Sequence, residues 1–321
     1  MTLLRETLEN RQVPIYFGAV VLGMIVAVTL NGMTALEIGI NLALAFMLFV
    51  TFLQVPLAEL RVAFSRFRFL GVLLLTNFVV VPVLVGALVQ FLPPDPMIRL
   101  GVLLVLLAPC IDYVVTFSHL GRADARLLLA ATPALLVIQM MMLPVYLGFF
   151  LGPEAGSLVT AGPFVHAFAW LIAVPLIFAA LVQFWATRSA AGARATSVLG
   201  LLPVPATAFV LFVVVAAVVP QLGPALDDTL RVVPIYVAYA VIAPLAGWGM
   251  SRLFCLDAPA GRALAFSAAT RNSLVVLPLA FAVPGAAPLL PAIIVTQTLI
   301  ELVSELAYVR LAPKLGSKMA A

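Results

Sequence analysis

Long apolar runs alternate along the sequence with short groups of charged residues, prolines and glycines. Most runs are about 20 residues long, which is the length that a helix needs to cross the hydrocarbon core of a bilayer. The ten runs cover residues 14–31, 36–58, 69–92, 97–118, 127–151, 164–186, 197–219, 231–250, 262–283 and 289–311. Their apolar positions are near-continuous rather than alternating, which favours helices over membrane strands. The pattern predicts an all-α integral membrane protein with ten transmembrane helices.

The composition excludes other classes of protein. Of the 321 residues, 64% are hydrophobic and only 9% are charged, whereas soluble domains are about 45–50% apolar and about 25% charged. Disordered chains need the opposite balance of low hydrophobicity and high charge. The connections between the runs are short, so the sequence leaves no room for an extramembrane ATPase or sensor domain. We therefore expect the lipid bilayer to be the main surroundings of this chain.

The basic residues predict the orientation of the helices. Fourteen of the 17 lysines and arginines fall at the same side of the ten predicted spans. Because cytoplasmic loops carry an excess of Lys and Arg, both termini are expected in the cytoplasm of a cell-membrane protein. This bias also explains the basic pI without a nucleic-acid partner. The fourteen residues are Arg5, Arg11, Arg61, Arg66, Arg68, Arg122, Arg126, Arg188, Arg194, Arg252, Arg262, Arg310, Lys314 and Lys318.

Ten spans divide into two sets of five, residues 1–160 and 161–321. Because five is odd, the second set enters the membrane from the opposite side, which is the inverted repeat of many secondary transporters. Corresponding interruptions support this division: the fourth run is interrupted around Pro109 and the ninth around Thr270. Paired interruptions of this kind mark the binding site of a transporter. We therefore predict that helices four and nine are broken and cross.

Each interruption is followed, at a similar distance, by a polar residue in the next run. Gln139 follows Cys110 by 29 residues, and Glu301 follows Arg271 by 30 residues. The correspondence is one of position and polarity rather than of residue identity. It adds to the prediction that the two halves are related.

Four ionisable residues lie within the predicted spans: Asp112, Arg271, Glu301 and Glu305. Each costs about 2.5–3.5 kcal/mol at a helix centre on insertion scales, so each is expected to have a role. At 1.5 Å per residue, Asp112, Arg271 and Glu301 lie roughly 10–14 Å from the cytoplasmic ends of their helices. We hypothesise that Asp112 and Arg271 pair where the broken helices cross, with Glu301 nearby. A static salt bridge is the alternative, and Glu305 is expected near the cytoplasmic interface.

Further polar side chains are candidates to line the same cavity. They could equally form ordinary hydrogen bonds between membrane helices. Gln297 lies one turn before Glu301, so both face the same side of a helix. Cys110 directly follows the proline of the first interruption, where a soft thiolate could meet a soft substrate, although a buried cysteine is usually inert. The other candidates are Thr132, Gln139, Asn272 and Ser273.

These motifs resemble the bile acid:sodium symporter superfamily, and within it the arsenite-efflux permeases. Ala108-Pro109-Cys110 is similar to the Ala-Pro-Cys motif that carries the essential thiol of those permeases. Leu299-Ile300-Glu301 resembles their tenth-helix motif, and Gln139 fits a polar position of their fifth helix. The resemblance implies a panel domain of helices 1, 2, 6 and 7. It implies a core domain of helices 3–5 and 8–10, with transport by rocking of one domain against the other.

The sequence departs from these families at the ninth-helix interruption. Where the arsenite permeases have a carboxylate, this chain has Leu274. Where the bile-acid-type symporters have Glu and Gln as sodium ligands, it has Ser267 and Arg271. The resemblance therefore implies that a fixed positive charge at this position would repel sodium, which indicates a divergent branch.

The leading hypothesis is a secondary transporter that exports arsenite or a related metalloid, driven by a proton gradient or the membrane potential. Cys110 would contact the metalloid, Asp112 or Glu301 would carry the proton, and Arg271 would tune their ionisation. The alternative is an ion-coupled symporter or exporter of a small organic anion, which Arg271 would bind bidentately. An enzyme is not expected, since two histidines and two scattered cysteines do not form a zinc site. No cofactor or resident metal is predicted.

Overall fold

The structure is a computed structural model, which describes residues 7–9, 11–30, 32–54, 66–111, 113–152, 166, 169–281 and 283–316. Within these ranges the secondary structure is helical, and the only strand-like pairing is a single bridge between Pro109 and Arg271. Five helices are long and apolar enough to cross a bilayer, and two helices joined at a 43° bend form a sixth candidate. The predicted all-α membrane class is thus confirmed, while the ten-span inverted repeat stays a prediction.

The apolar runs fold into a succession of α-helices separated by short turns. The basic residues Arg5, Arg61 and Lys318, used above to orient the chain, lie outside the described residues. In chain order the helices are α1 (Gln12–Thr29), α2 (Glu37–Phe52), α3 (Phe67–Leu75), α4 (Val81–Val89), α5 (Pro96–Leu106), α6 (Val114–Leu120), α7 (Ala125–Leu151), α8 (Val174–Ala186), α9 (Ala190–Leu199), α10 (Pro203–Val218), α11 (Leu222–Leu253), α12 (Ala258–Ala269), α13 (Ser273–Phe281) and α14 (Leu289–Leu311).

The chain forms two compact units, each of which takes helices from both halves of the sequence. The first unit comprises Met1–Pro56 and Ala161–Ala225, and the second comprises Leu57–Thr160 and Leu226–Ala321. Runs one, two, six and seven lie largely in the first unit. The panel and core domains are defined as groups of helices that move against each other during transport. That division, like the two five-helix repeats, stays a prediction.

In the first unit, α10 packs against both α1 and α2. The approach to α1 is close because Gly23 has no side chain. A Cβ atom at this position would lie 3.0 Å from the carbonyl oxygen of Phe212 and 3.1 Å from the Cβ of Val215. The buried side chains of α10 are almost all apolar, so dispersion and close packing hold this unit together.

In the second unit, two pairs of short helices replace long ones. Helices α5 and α6 are separated by residues 107–113, and α12 and α13 by residues 270–272. Both pairs begin at an aspartate cap: Asp95 accepts hydrogen bonds from the backbone N–H groups of Met97 and Ile98, and Asp257 accepts one from that of Ala260. These caps satisfy the first backbone donors of α5 and α12 and so stabilise the starts of both helices. The two helices end at the interruptions.

Candidate functional site

The two interruptions lie against each other and pair through their backbones. The N–H of Cys110 donates to the carbonyl oxygen of Thr270 (3.1 Å), and the N–H of Asn272 donates to that of Ala108 (2.8 Å). Pro109, which has no N–H to donate, lies opposite Arg271 in this antiparallel bridge. Backbone groups within a membrane must find partners inside the protein. Each interruption therefore supplies partners for the other, and this is why both can persist in an apolar interior.

Glu301 on α14 is the acceptor for three donors from around this crossing. Its Oε1 accepts from the hydroxyl of Tyr113 (2.5 Å), and its Oε2 accepts from the backbone N–H of Arg271 (2.7 Å). The Nε2 of Gln297, one turn earlier on α14, also donates to Oε2 (2.6 Å). Glu301 as a whole residue is 3% exposed. Three donors on one buried carboxyl group match its ionised form and fix its position beside the second interruption.

The side chain of Arg271 is fully buried. Its Nη2 donates to the Asn77 Oδ1 (2.9 Å) and to the carbonyl oxygens of Ser267 (2.5 Å) and Ala268 (2.8 Å). Its Nη1 lies 3.5 Å from the carbonyl oxygen of Leu106. We call these four acceptor atoms the four-oxygen site.

The second glutamate, Glu305, lies one turn further along α14. The hydroxyl of Thr270 lies 2.5 Å from the Glu305 Oε1 and 2.7 Å from the carbonyl oxygen of Phe266. Glu305 is 0% exposed, so its carboxyl group is buried among helices of the second unit. Its expected level near the cytoplasmic interface stays a prediction.

The remaining predicted site residues are buried and lie on several elements of the second unit. Ser273 accepts a hydrogen bond from the hydroxyl of Thr298 (2.8 Å). The hydroxyl of Thr132 lies 3.2 Å from the carbonyl oxygen of Leu128 and 3.4 Å from that of Ile111, within the first interruption. Thr132 thus links α7 to that interruption.

Several buried amide groups have no hydrogen-bond partner within the described part of the chain. In the second unit these are both side-chain polar atoms of Gln139, the Nδ2 of Asn272 and the Oε1 of Gln297. Unpartnered buried polar atoms are costly, so they mark positions where a ligand or water would be bound.

Cys110 lies in the first interruption with its side chain 1% exposed. Its own backbone N–H donates to Thr270, and it directly follows Pro109 of the bridge, which places a thiol at the crossing. Asp112 lies outside the described residues. The predicted pairing of Asp112 with Arg271 therefore stays a prediction.

Three residues of the site were not singled out from the sequence. Asn77 lies on a π-helical turn (Thr76–Val80) and contacts the guanidinium of Arg271. Tyr113 donates to Glu301, and the ring of Tyr239 lies 5.7 Å from the guanidinium carbon. An asparagine within an apolar run was the available signal for Asn77, whereas nothing in the sequence distinguishes these two tyrosines from the other four.

A small cavity lies beside Glu301 in the second unit. Its volume is about 10 Å³, which is roughly the space of one water molecule. The cavity is lined by Glu301, by Gln297 and by Tyr236, whose buried hydroxyl has no partner among the described residues. The residues that line this cavity thus include three with polar side chains, around a space of about one water molecule.

Comparison with known proteins identifies the family. The sequence model of the sodium bile acid symporter family matches residues 41–224, more than half of the chain. No curated protein matches the chain. The chain therefore belongs to the sodium bile acid symporter family and is a multi-pass membrane protein. Members of this family are transporters rather than enzymes, and the family suggests sodium-coupled transport of organic or other anions.

Proposed function

We propose that this member of the sodium bile acid symporter family is a secondary active transporter that works by alternating access. The observation that carries the proposal is the pairing of two helix interruptions through the backbones of Cys110, Thr270, Ala108 and Asn272. Transporters place their substrate and coupling-ion sites at interrupted helices of this kind. Buried charged groups at the same place support it, because such groups within a membrane are costly and are retained for function.

The proposed substrate is arsenite or a related metalloid species, and the proposed direction is export. Cys110 supports this choice, since it places a sulfur ligand directly at the crossing. Thiolates are soft ligands that suit soft, thiophilic centres better than carboxylates do. Asn272 and Gln139 would supply the polar contacts that a bound hydroxylated metalloid requires, because their buried amides have atoms without partners among the described residues.

The proposed driving ion is the proton, with Glu301 as the group that binds it. Protonation of Glu301 would reverse at least one of its three hydrogen bonds, because a neutral carboxyl group must donate as well as accept. The protonated carboxyl group can donate to the hydroxyl oxygen of Tyr113. The hydroxyl hydrogen of Tyr113 can then turn toward the carbonyl oxygen of Arg271, which is 3.4 Å away. Protonation would thus change contacts to both interruptions at once, which is what coupling to alternating access requires.

A metalloid-resistance assay in a sensitive bacterial host tests the substrate and the role of the thiol. We expect the wild-type protein to confer arsenite resistance and Cys110→Ser to abolish it. Cys255→Ser is the matched control, because this second cysteine is exposed, and it is expected to keep full resistance. Export would then be measured as arsenite uptake into everted membrane vesicles with an imposed proton gradient. Resistance that survives in Cys110→Ser at wild-type protein levels would contradict the role of the thiol.

The second candidate function is sodium-coupled transport of a small organic anion, and the family match favours it. Uptake of labelled organic anions into proteoliposomes, with sodium or choline as the external cation, distinguishes it from the first. Sodium-dependent anion uptake together with an absence of arsenite resistance would replace the first proposal by this one. The guanidinium of Arg271 is less suited to hold the anion than the sequence indicates, since four oxygens of the protein already surround it.

A further inference from the structure

The four-oxygen site around the guanidinium of Arg271 contains only neutral ligands. Three are backbone carbonyl oxygens, those of Leu106, Ser267 and Ala268, and the fourth is the amide oxygen of Asn77. Among the carboxylates that the structure describes, none forms an ion pair with this guanidinium. A buried charge usually requires a charged partner, whereas the partners of this cation among the described residues are neutral dipoles.

The positions of these oxygens in the fold explain how they can do so. Leu106 is the last residue of α5, and Ser267 and Ala268 lie in the last turn of α12. The last carbonyls of a helix have no partner within the helix, and they carry the negative end of its dipole. The two interrupted helices therefore direct their negative ends at one point. The ring of Tyr239, 5.7 Å from the guanidinium carbon, adds a further attraction.

This arrangement is the one that transporters use to bind a coupling cation. In secondary transporters, the carboxyl ends of interrupted helices and their free carbonyls coordinate sodium or protons. Here the same kind of site is occupied by a cation that belongs to the chain. The three nearest oxygens each accept a hydrogen bond of 2.5–2.9 Å from the Nη2 of Arg271. A sodium ion at this point would meet both a fixed positive charge and oxygens that already accept hydrogen bonds.

We propose that Arg271 is a resident cation that permanently fills a monovalent-cation site between the ends of α5 and α12. Sodium is therefore excluded from the four-oxygen site in the wild-type protein, and removal of the guanidinium opens the site to small monovalent cations. Asn77 is the side chain that completes the site, and the two interrupted helices supply the rest. This inference deepens the proposed function, since it concerns the coupling ion, but its test measures cation binding and needs no transported substrate.

Thermal unfolding of the purified, full-length protein in detergent tests the proposal. Sodium chloride, choline chloride and guanidinium chloride are compared at equal millimolar ionic strength, far below denaturing concentrations. We expect the wild-type melting temperature to be the same in all three salts. Arg271→Ala is expected to melt lower in choline and to recover by a few degrees in sodium and further in guanidinium, because ligands that bind only the folded state raise its stability. Guanidinium restores the missing group itself.

Arg310→Ala is the matched control, because Arg310 is an exposed arginine of the same unit. It is expected to melt as the wild type does and to show no preference among the salts. If Arg271→Ala does not accumulate, Arg271→Gln is measured in the same way, since its shorter neutral side chain keeps part of the packing. A folded Arg271 variant that responds equally to all three salts would overturn the proposal. Sodium stabilisation of the wild type that Asn77→Leu removes would also overturn it.

Failure of this inference and failure of the proposed function are distinguishable. If sodium binds the wild-type four-oxygen site while arsenite resistance is observed, the substrate proposal stands and the resident-cation proposal falls. If Arg271→Ala gains sodium binding while the wild-type protein confers no arsenite resistance, the resident-cation proposal stands and the substrate proposal falls. Labelled sodium binding to the wild type that is insensitive to Asn77→Leu identifies a different sodium site and leaves the four-oxygen site closed, as proposed.

Discussion

The two compact units bury very different side chains, although the sequence of both is dominated by apolar residues. In the first unit, the buried polar residues that the structure describes are Gln12, Thr51 and Thr207, and none is charged. In the second unit, the described residues include three buried charged side chains, those of Arg271, Glu301 and Glu305. The two units therefore have interiors of different chemistry.

This difference teaches that burial alone does not require polar side chains, and that the buried charges lie where two interruptions pair with each other. In the first unit, α10 packs against α1 and α2 with almost only apolar buried side chains, although α9 and α10 are joined at a 43° bend. The second unit contains both interruptions, and its buried polar side chains contact the backbone that these interruptions free: Glu301 accepts from the N–H of Arg271, and Arg271 donates to carbonyls of α12. Chemistry that could drive transport is thus concentrated where the helices are broken.

The largest expected effect follows from Glu301→Gln, which removes the proposed proton-binding group with little change of shape. The amide can still accept from the N–H of Arg271 through its oxygen and donate to the hydroxyl of Tyr113, so we expect a folded protein that has lost all proton-driven transport. Everted vesicles with an imposed pH gradient provide the measurement. Glu305→Gln is the matched control, because its single described donor is Thr270, and a larger loss in that control would assign the proton to Glu305 instead.

A smaller effect is expected where two helices of the same unit approach closely. An added Cβ at Gly247 on α11 would lie 2.8 Å from the Ala268 Cβ and from the carbonyl oxygen of Leu264. Gly247→Ala should therefore displace α12, which carries two oxygens of the four-oxygen site, and destabilise the protein by about 1–3 kcal/mol. Gly23→Ala in the first unit meets atoms at 3.0–3.1 Å and should cost less.

Unfolding of both glycine variants in detergent, with vesicle transport as a second readout, checks this order. Gly247→Ala is expected to lower transport more than its stability loss explains, whereas Gly23→Ala is expected to lower the two together. Equal effects of the two variants on transport would show that close packing, rather than the position of α12, limits activity.

The smallest effect is expected from Gln183→Ala in the first unit. The Nε2 of Gln183 on α8 donates to the carbonyl oxygens of Phe52 and Leu53 at the end of α2, at 3.1 and 3.3 Å. Loss of these contacts at a half-buried position should cost about 1 kcal/mol or less and leave transport unchanged. The same unfolding and vesicle assays apply, and a loss of transport here would mean that polar contacts of the first unit also serve function.

The sequence by itself determined the class of the protein and much of its local structure. Apolar runs of membrane length require helices, because only helices satisfy the backbone within each segment. Helix α5 ends beside the proline of the first interrupted run, and α12 ends where Thr270 and Arg271 follow. Spacing along one helix also placed Gln297 on the same face as Glu301, where its amide donates to the carboxyl group. These features depend on residues within a few turns of each other.

Only the tertiary structure decided which groups meet at the crossing. The guanidinium of Arg271 contacts Asn77, which is 194 residues away in the sequence, and Glu301 contacts Tyr113, which is 188 residues away. The guanidinium of Arg271 is directed to the carbonyls at the ends of α5 and α12, and its predicted pairing with Asp112 stays a prediction. The physical reason is that a buried side chain takes its direction from partners on other helices. A pattern of polarity along one helix does not contain that information.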